Sequence, residues 1–157
     1  MRERKFHHED LDVYRVALEF VAWVGDLMAG PLKECKLRAV DQLDRASTSS
    51  PLNIAEGNGK RSTKDRCRFL DIAHGSALEC AACLDVLVAR RALQSETTTH
   101  GKELLLRIVE MLSRMIDRLS EVPDTRMLGS SPTTSPRTST TPSPSTSTRA
   151  SSKISCS

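Results

Sequence analysis

Three short interruptions cut residues 8–122 into four segments: Gly30-Pro31, Gly57-Asn58-Gly59, and the polar run from Gln94 to Gly101. Between them apolar residues recur at three- and four-residue spacing, the pattern of an amphipathic helix. The apolar positions are mostly Leu, Ala, Val and Met, which favour helix. The aromatic residues of the chain are Phe6, Tyr14, Phe20, Trp23 and Phe69, too few for a sheet protein, since strands favour aromatic and β-branched side chains. The chain is therefore predicted to be all-α. Short connections between long helices make sequential neighbours antiparallel, so the expected architecture is an antiparallel up-down-up-down four-helix bundle over residues 8–122.

The first helix is expected from Asp10 or Asp12 to about Met28, with its polar residues Asp12, Arg15, Glu19 and Asp26 in one stripe. It carries two adjacent apolar stripes, one of Leu11, Tyr14, Leu18, Val21 and Met28, the other of Val13, Ala17, Phe20, Val24 and Leu27. The second helix spans about Lys33 to Glu56. Pro51 inside it removes a hydrogen bond and predicts a kink or local rearrangement. Gly57-Asn58-Gly59 tolerates positive φ and is expected to end the helix and reverse the chain. The third helix begins with Ser62 as N-cap and Asp65 three residues on, and runs to about Leu93. From Phe69 to Ala89 its formal charges are Asp71, Glu79 and Asp85 alone, so it should be the most buried. The fourth spans about Lys102 to Glu121, with a core stripe through Leu105, Ile108, Leu112 and Met115. Two arrangements account for the apolar surplus of the first and third helices. Either they form the central pair of the bundle, or the surplus is a subunit interface, because a monomer rarely exposes a large apolar patch.

Residues 126–157 have another composition. They hold Ser or Thr at 18 of 32 positions and no Asp or Glu. The net charge of +3 divides into −1 for residues 1–125, with 19 basic and 20 acidic residues, and +4 for the rest. The basic pI is thus no argument for a basic folded surface. Without an apolar pattern this C-terminal tail is expected to be disordered. The N-terminus lacks the apolar core of a secretory signal, and Val16 to Gly30 is too short and too charged to span a bilayer. A cytoplasmic protein with reduced thiols and no membrane association is expected, and the five cysteines form no even disulfide set.

A turn centred near Gly59 would place Ala46 opposite Ala73, Ser49 opposite Leu70 and Gln42 opposite Ala77. Small residues there would let the two backbones approach closely, which accounts for Gly75 in mid-helix. The same hairpin carries polar groups in an apolar setting: Gln42, Arg45, Asn53, Glu56, Ser76 and Glu79. A partly buried pair between Arg45 and Glu79 would fix the register. Neither Glu56 nor Glu79 has a convergent nucleophile, metal set or phosphate loop beside it, so no catalytic residue is assigned.

Three stretches of this hairpin carry a resemblance. Gln42-Leu43-Asp44-Arg45-Ala46, Ser49-Ser50-Pro51-Leu52-Asn53-Ile54-Ala55-Glu56-Gly57-Asn58-Gly59-Lys60, and Arg68 to Glu79 through Gly75-Ser76 resemble the signature of the four helix bundle protein family. It is also called the 23S rRNA intervening-sequence protein family. Leu11-Asp12-Val13-Tyr14 and Ala17 match its first helix, and the likeness covers roughly residues 8–122. It implies a small helical bundle that assembles as a ring-like homopentamer, with no enzymatic activity, cofactor or small-molecule substrate. Some members are encoded within insertions in bacterial 23S rRNA genes. A related branch comprises accessory proteins of diversity-generating retroelements, which bind nucleic acid through basic surfaces. Two departures count against nucleic acid here: Asp44 stands where many members have a basic residue, and the body is slightly acidic.

The candidate nucleic-acid site is the densest basic run, Lys60, Arg61, Lys64, Arg66 and Arg68, at the turn between the second and third helices. A ring of such turns would make a positive rim for RNA or DNA phosphates, although no aromatic platform accompanies it in the sequence. Cys80-Ala81-Ala82-Cys83 lies mid-helix, where a redox pair does not. Cys67 and His74 point elsewhere on the same helix, so no metal site is expected and core packing accounts for the thiols. His7-His8 is a pair without evident partners. The chain reads as an oligomeric scaffold with a basic turn. The alternative is a structural or protein-interaction adaptor with no nucleic-acid role.

Overall fold

The computed structural model describes residues 6–121; the tail expected from 126 onward lies outside them. A 3-10 turn, His7–Asp10, precedes four helices: α1 (Asp12–Ala29), α2 (Arg38–Gly59), α3 (Thr63–Ala89) and α4 (Ser95–Ser120). No strand occurs among the described residues. Each helix packs on two others: α1 and α3 each touch α2 and α4, and the backbones of the diagonal pairs do not approach closely.

Direction follows from side-chain partners. Asn58 bonds Arg66 while Ser49 bonds Ser76, so α2 and α3 run oppositely. Lys102 reaches Asp85 while Ser113 reaches His74, so α3 and α4 do too. Trp23 lies against Gly101, and Leu11 and Val13 border the same groove as Met111 and Met115 at the other end, so α1 opposes α4. The chain is an antiparallel up-down-up-down bundle.

The core takes one stripe from each helix, as amphipathic periodicity dictates. From α1 it takes Val13, Val16, Ala17, Phe20, Val24 and Leu27, and from α2 Val40, Leu43, Ala46 and Ile54. From α3 come Leu70, Ala73, Ala77, Cys80, Leu84 and Leu87, and from α4 Leu104, Leu105, Ile108 and Leu112. The second α1 stripe is only partly covered; Tyr14, Val21 and Met28 are half-buried and Leu18 is exposed.

Several expectations are corrected. α2 starts at Arg38 rather than near Lys33. The chain first drops Leu32 into the core and closes a turn from Cys35 N–H to Leu32 O (2.9 Å), with Leu37 extended. α2 then runs through Pro51 and through Gly57-Asn58-Gly59 without a glycine at positive φ. Around Pro51, hydroxyls bond backward to carbonyls, Ser47 Oγ to Asp44 O (2.8 Å) and Thr48 Oγ1 to Arg45 O (3.0 Å). α3 stops at Ala89, where Arg91 takes φ 60°. The polar run after Gln94 is the first two turns of α4, and Gly101 lies inside that helix.

α3 is not the most buried helix. Ile72, Leu78 and Val86 are exposed, with Gly75 and Ala82 between them on the same face. α2 and α4 cover its two flanks, and among the described residues no element covers the third. α1 and α3 lie on a diagonal, so a central pair does not account for the surplus. α3 is long and apolar enough to cross a membrane by composition, yet it also supplies eight buried residues to the bundle.

Candidate nucleic-acid interface

The α2–α3 hairpin closes on Gly57. A Cβ there would lie 3.0 Å from Phe69 Cβ and 3.4 Å from Arg66 O, tighter than side chains normally pack. The glycine thus serves close approach rather than chain reversal. The reversal falls at Lys60-Arg61-Ser62, and Asp65 N–H donates to Ser62 Oγ (3.3 Å) to cap α3. The later turn shifts the register: Ser49 meets Ser76 (2.9 Å), not Leu70. Gly75 is exposed, and a Cβ on it would meet open space, so it is not the small residue that lets the helices approach.

The five candidate cations divide into two sets. Lys60 pairs with Glu56 (2.9 Å) and sits over the Phe69 ring, 4.6 Å from its centroid. Arg66 is half-buried; its Nη2 donates to Asn58 Oδ1 (3.0 Å), and its Nε is buried without an acceptor. Arg61, Lys64 and Arg68 are exposed, and among the described residues no carboxylate pairs with them. Two cations are therefore held by the fold and three face solvent around one turn.

Of the hairpin's polar residues, Gln42, Arg45, Asn53, Ser76 and Glu79 line one open groove of about 330 Å³ between α2 and α3. Its floor is a hydrogen-bonded chain. Asn53 Nδ2 donates to Ser49 O (2.8 Å) and Ser49 Oγ (3.1 Å), Ser49 bonds Ser76, and Ser76 Oγ donates to Ile72 O (2.9 Å). Arg45 and Glu79 do not form the expected ion pair. Both are exposed, where water competes for each charge. Glu56 is outside the groove, engaged with Lys60.

Sequence reasoning missed the N-terminal turn. Phe6, His7 and His8 border a cleft with Asn58, Gly59 and Arg66. Their proximity is tertiary, and no local spacing announces it. Among the described residues no three His, Cys, Asp or Glu side chains are grouped to hold a metal ion. The thiols of the CxxC are buried. Burial, then the neighbouring Cys83 and Glu79, pushes Cys80 up from 9.0 to about 12, and Cys83 is also raised, by burial and then by Glu79. Both stay protonated at neutral pH and are poor nucleophiles.

The family model described as "23S rRNA-intervening sequence protein" matches residues 9–114, which span all of α1, α2 and α3 and most of α4. The chain belongs to this family. A crystal structure of a protein of unknown function from the S23 ribosomal protein family of Bacteroides thetaiotaomicron has the same fold. The TM-score is 0.63 at 24% identity, covering 66% of this chain and 97% of that one. No curated protein matches the chain.

Proposed function

We propose that this chain is a non-enzymatic, self-associating scaffold that holds a nucleic-acid strand, RNA or DNA, at the α2–α3 turn. The observation that carries the reading is the set of exposed cations Arg61, Lys64 and Arg68 around one turn, with no carboxylate of the described residues paired to them. Cations without a carboxylate partner can neutralise phosphates and release their condensed counterions without first breaking an ion pair. Self-association is supported by the exposed stripe of Ile72, Leu78 and Val86 on α3, where Gly75 and Ala82 leave room for a second backbone. A closed ring of copies, the homopentamer implied by the resemblance, repeats the cationic turn around a rim. We read the protein as cytoplasmic, without membrane or small-molecule partner; α3, the helix long and apolar enough to cross a membrane, is packed along two flanks in the bundle.

The same apolar stripe also favours a second reading, an adaptor that binds only protein. A gel shift separates the two. The wild-type chain is expected to retard labelled RNA or DNA at low salt and to release it as salt rises. The triple variant Arg61→Ala, Lys64→Ala and Arg68→Ala should weaken that shift, with a salt slope shallower by about 0.7–0.9 per phosphate contact removed. No retardation by wild type at low salt leaves the adaptor.

A further inference from the structure

The N-terminal turn brings to the basic hairpin an exposed aromatic platform, which the hairpin's own Phe69, half-buried beneath Lys60, does not supply. Phe6 is 72% exposed, an unusual position for a large aromatic side chain, yet it is not loose. Its N–H donates to Glu9 Oε2 (3.0 Å) and its carbonyl accepts from Glu9 N–H (3.0 Å). Arg15 ties the turn to α1 through Glu9 O, Asp10 O and Asp12 Oδ1, at 3.1 to 3.2 Å. The Phe6 ring stacks on His8 (centroids 5.7 Å apart, planes 16° apart), and His8 meets Tyr14 edge-on at 4.8 Å. One side of this stack borders a cleft of about 660 Å³ shared with His7, Asn58, Gly59 and Arg66. Its size falls within the ~300–1,000 Å³ of small-ligand pockets.

The chemistry of this cleft is divided. On one side are stacked aromatic rings with an exposed outer member. On the other is a guanidinium fixed by Asn58, with a buried Nε–H that has no acceptor among the described residues. Gly59 between them adds no side chain to the rim. Apolar or uncharged ligands would leave the guanidinium unmatched, and a simple carboxylate would leave the ring unused. A nucleotide matches both halves: its base has a π-face for Phe6, and its phosphate has the charge for Arg66 and acceptor oxygens for a His7 ring N–H.

We infer that Phe6, His7, His8 and Arg66 form a seat for one nucleotide of a single strand, with the base stacked on Phe6 and the phosphate beside Arg66. This rests on the nucleic-acid reading above and sharpens it. Stacking on a protein ring needs an unpaired base, so the seat selects single strands over duplex and tolerates any base. The exposed Arg61, Lys64 and Arg68 serve either form, since phosphate contacts carry no such preference.

Fluorescence anisotropy of the full chain with a labelled single-stranded oligonucleotide, and with the duplex of the same sequence, tests it. Wild type is expected to bind the single strand more tightly. Phe6→Ala should weaken single-strand binding about tenfold and leave duplex binding unchanged. Phe6→Trp should restore it, which separates stacking from a structural effect. Unaltered single-strand binding by Phe6→Ala, or an equal loss for both forms, overturns the seat and leaves the basic-turn reading standing. Wild type that binds neither form overturns both.

Discussion

Glycine shows what one residue's surroundings decide. Gly75 suggests close packing from its place in an apolar helix, but a Cβ there meets open space. Gly57 and Gly101 do the packing instead. Gly57 accommodates Phe69, and a Cβ on Gly101 would lie only 2.2 Å from Trp23 Cζ3. Nothing local distinguishes the three, because the neighbour that matters is on another helix. Gly25 is exposed in α1, and a Cβ added to it would also find nothing within 4 Å. Gly25→Ala should therefore stabilise the fold by about 0.5–1 kcal/mol through helix propensity. Gly101→Ala should destabilise it by about 1–3 kcal/mol by displacing the indole. Urea unfolding of the two variants checks the contrast; similar shifts for both would refute the packing at Trp23.

At the scale of elements, the four helices were legible because their apolar stripes repeat over many turns. Their ends were less so. α1 ends close to where Gly30-Pro31 puts it, since those residues act through their own backbones. α3 ends at Ala89 without glycine or proline. Arg91 adopts φ 60°, Ala92 N–H bonds Leu87 O (2.9 Å) and Arg91 N–H bonds Val88 O (2.9 Å). That is a Schellman ending with arginine where glycine is usual. Arg91→Gly should thus raise stability by about 1 kcal/mol, visible as a higher Tm, by removing the left-handed strain. A fall in Tm would mean that the Arg91 side chain contributes more than its backbone costs. Register was not legible for the same reason: the α2–α3 turn lies after Gly59, and moving it carries Ser49 from Leu70 to Ser76. The polar residues of the hairpin were legible as a group, but not the absence of an Arg45–Glu79 pair, because exposure decides whether such charges hold together.

At the scale of the whole molecule, a four-helix core needs one stripe from each helix, and α3 has more. Leu78 is 50% and Val86 48% exposed on a helix already packed along two flanks. The surplus was visible in composition, but its placement was not, since it depends on which helices lie diagonally across the bundle. Repetition of the chain around that stripe would also gather the free cations of many turns, which one chain of nearly balanced body charge does not do alone. The claim on which the scaffold reading rests is self-association through α3, and multi-angle light scattering at micromolar concentration measures it directly. Wild type should elute at a multiple of its 17.3 kDa chain mass, and Leu78→Glu with Val86→Glu should return it to the mass of one helical chain. A wild-type mass of a single chain would contradict the account.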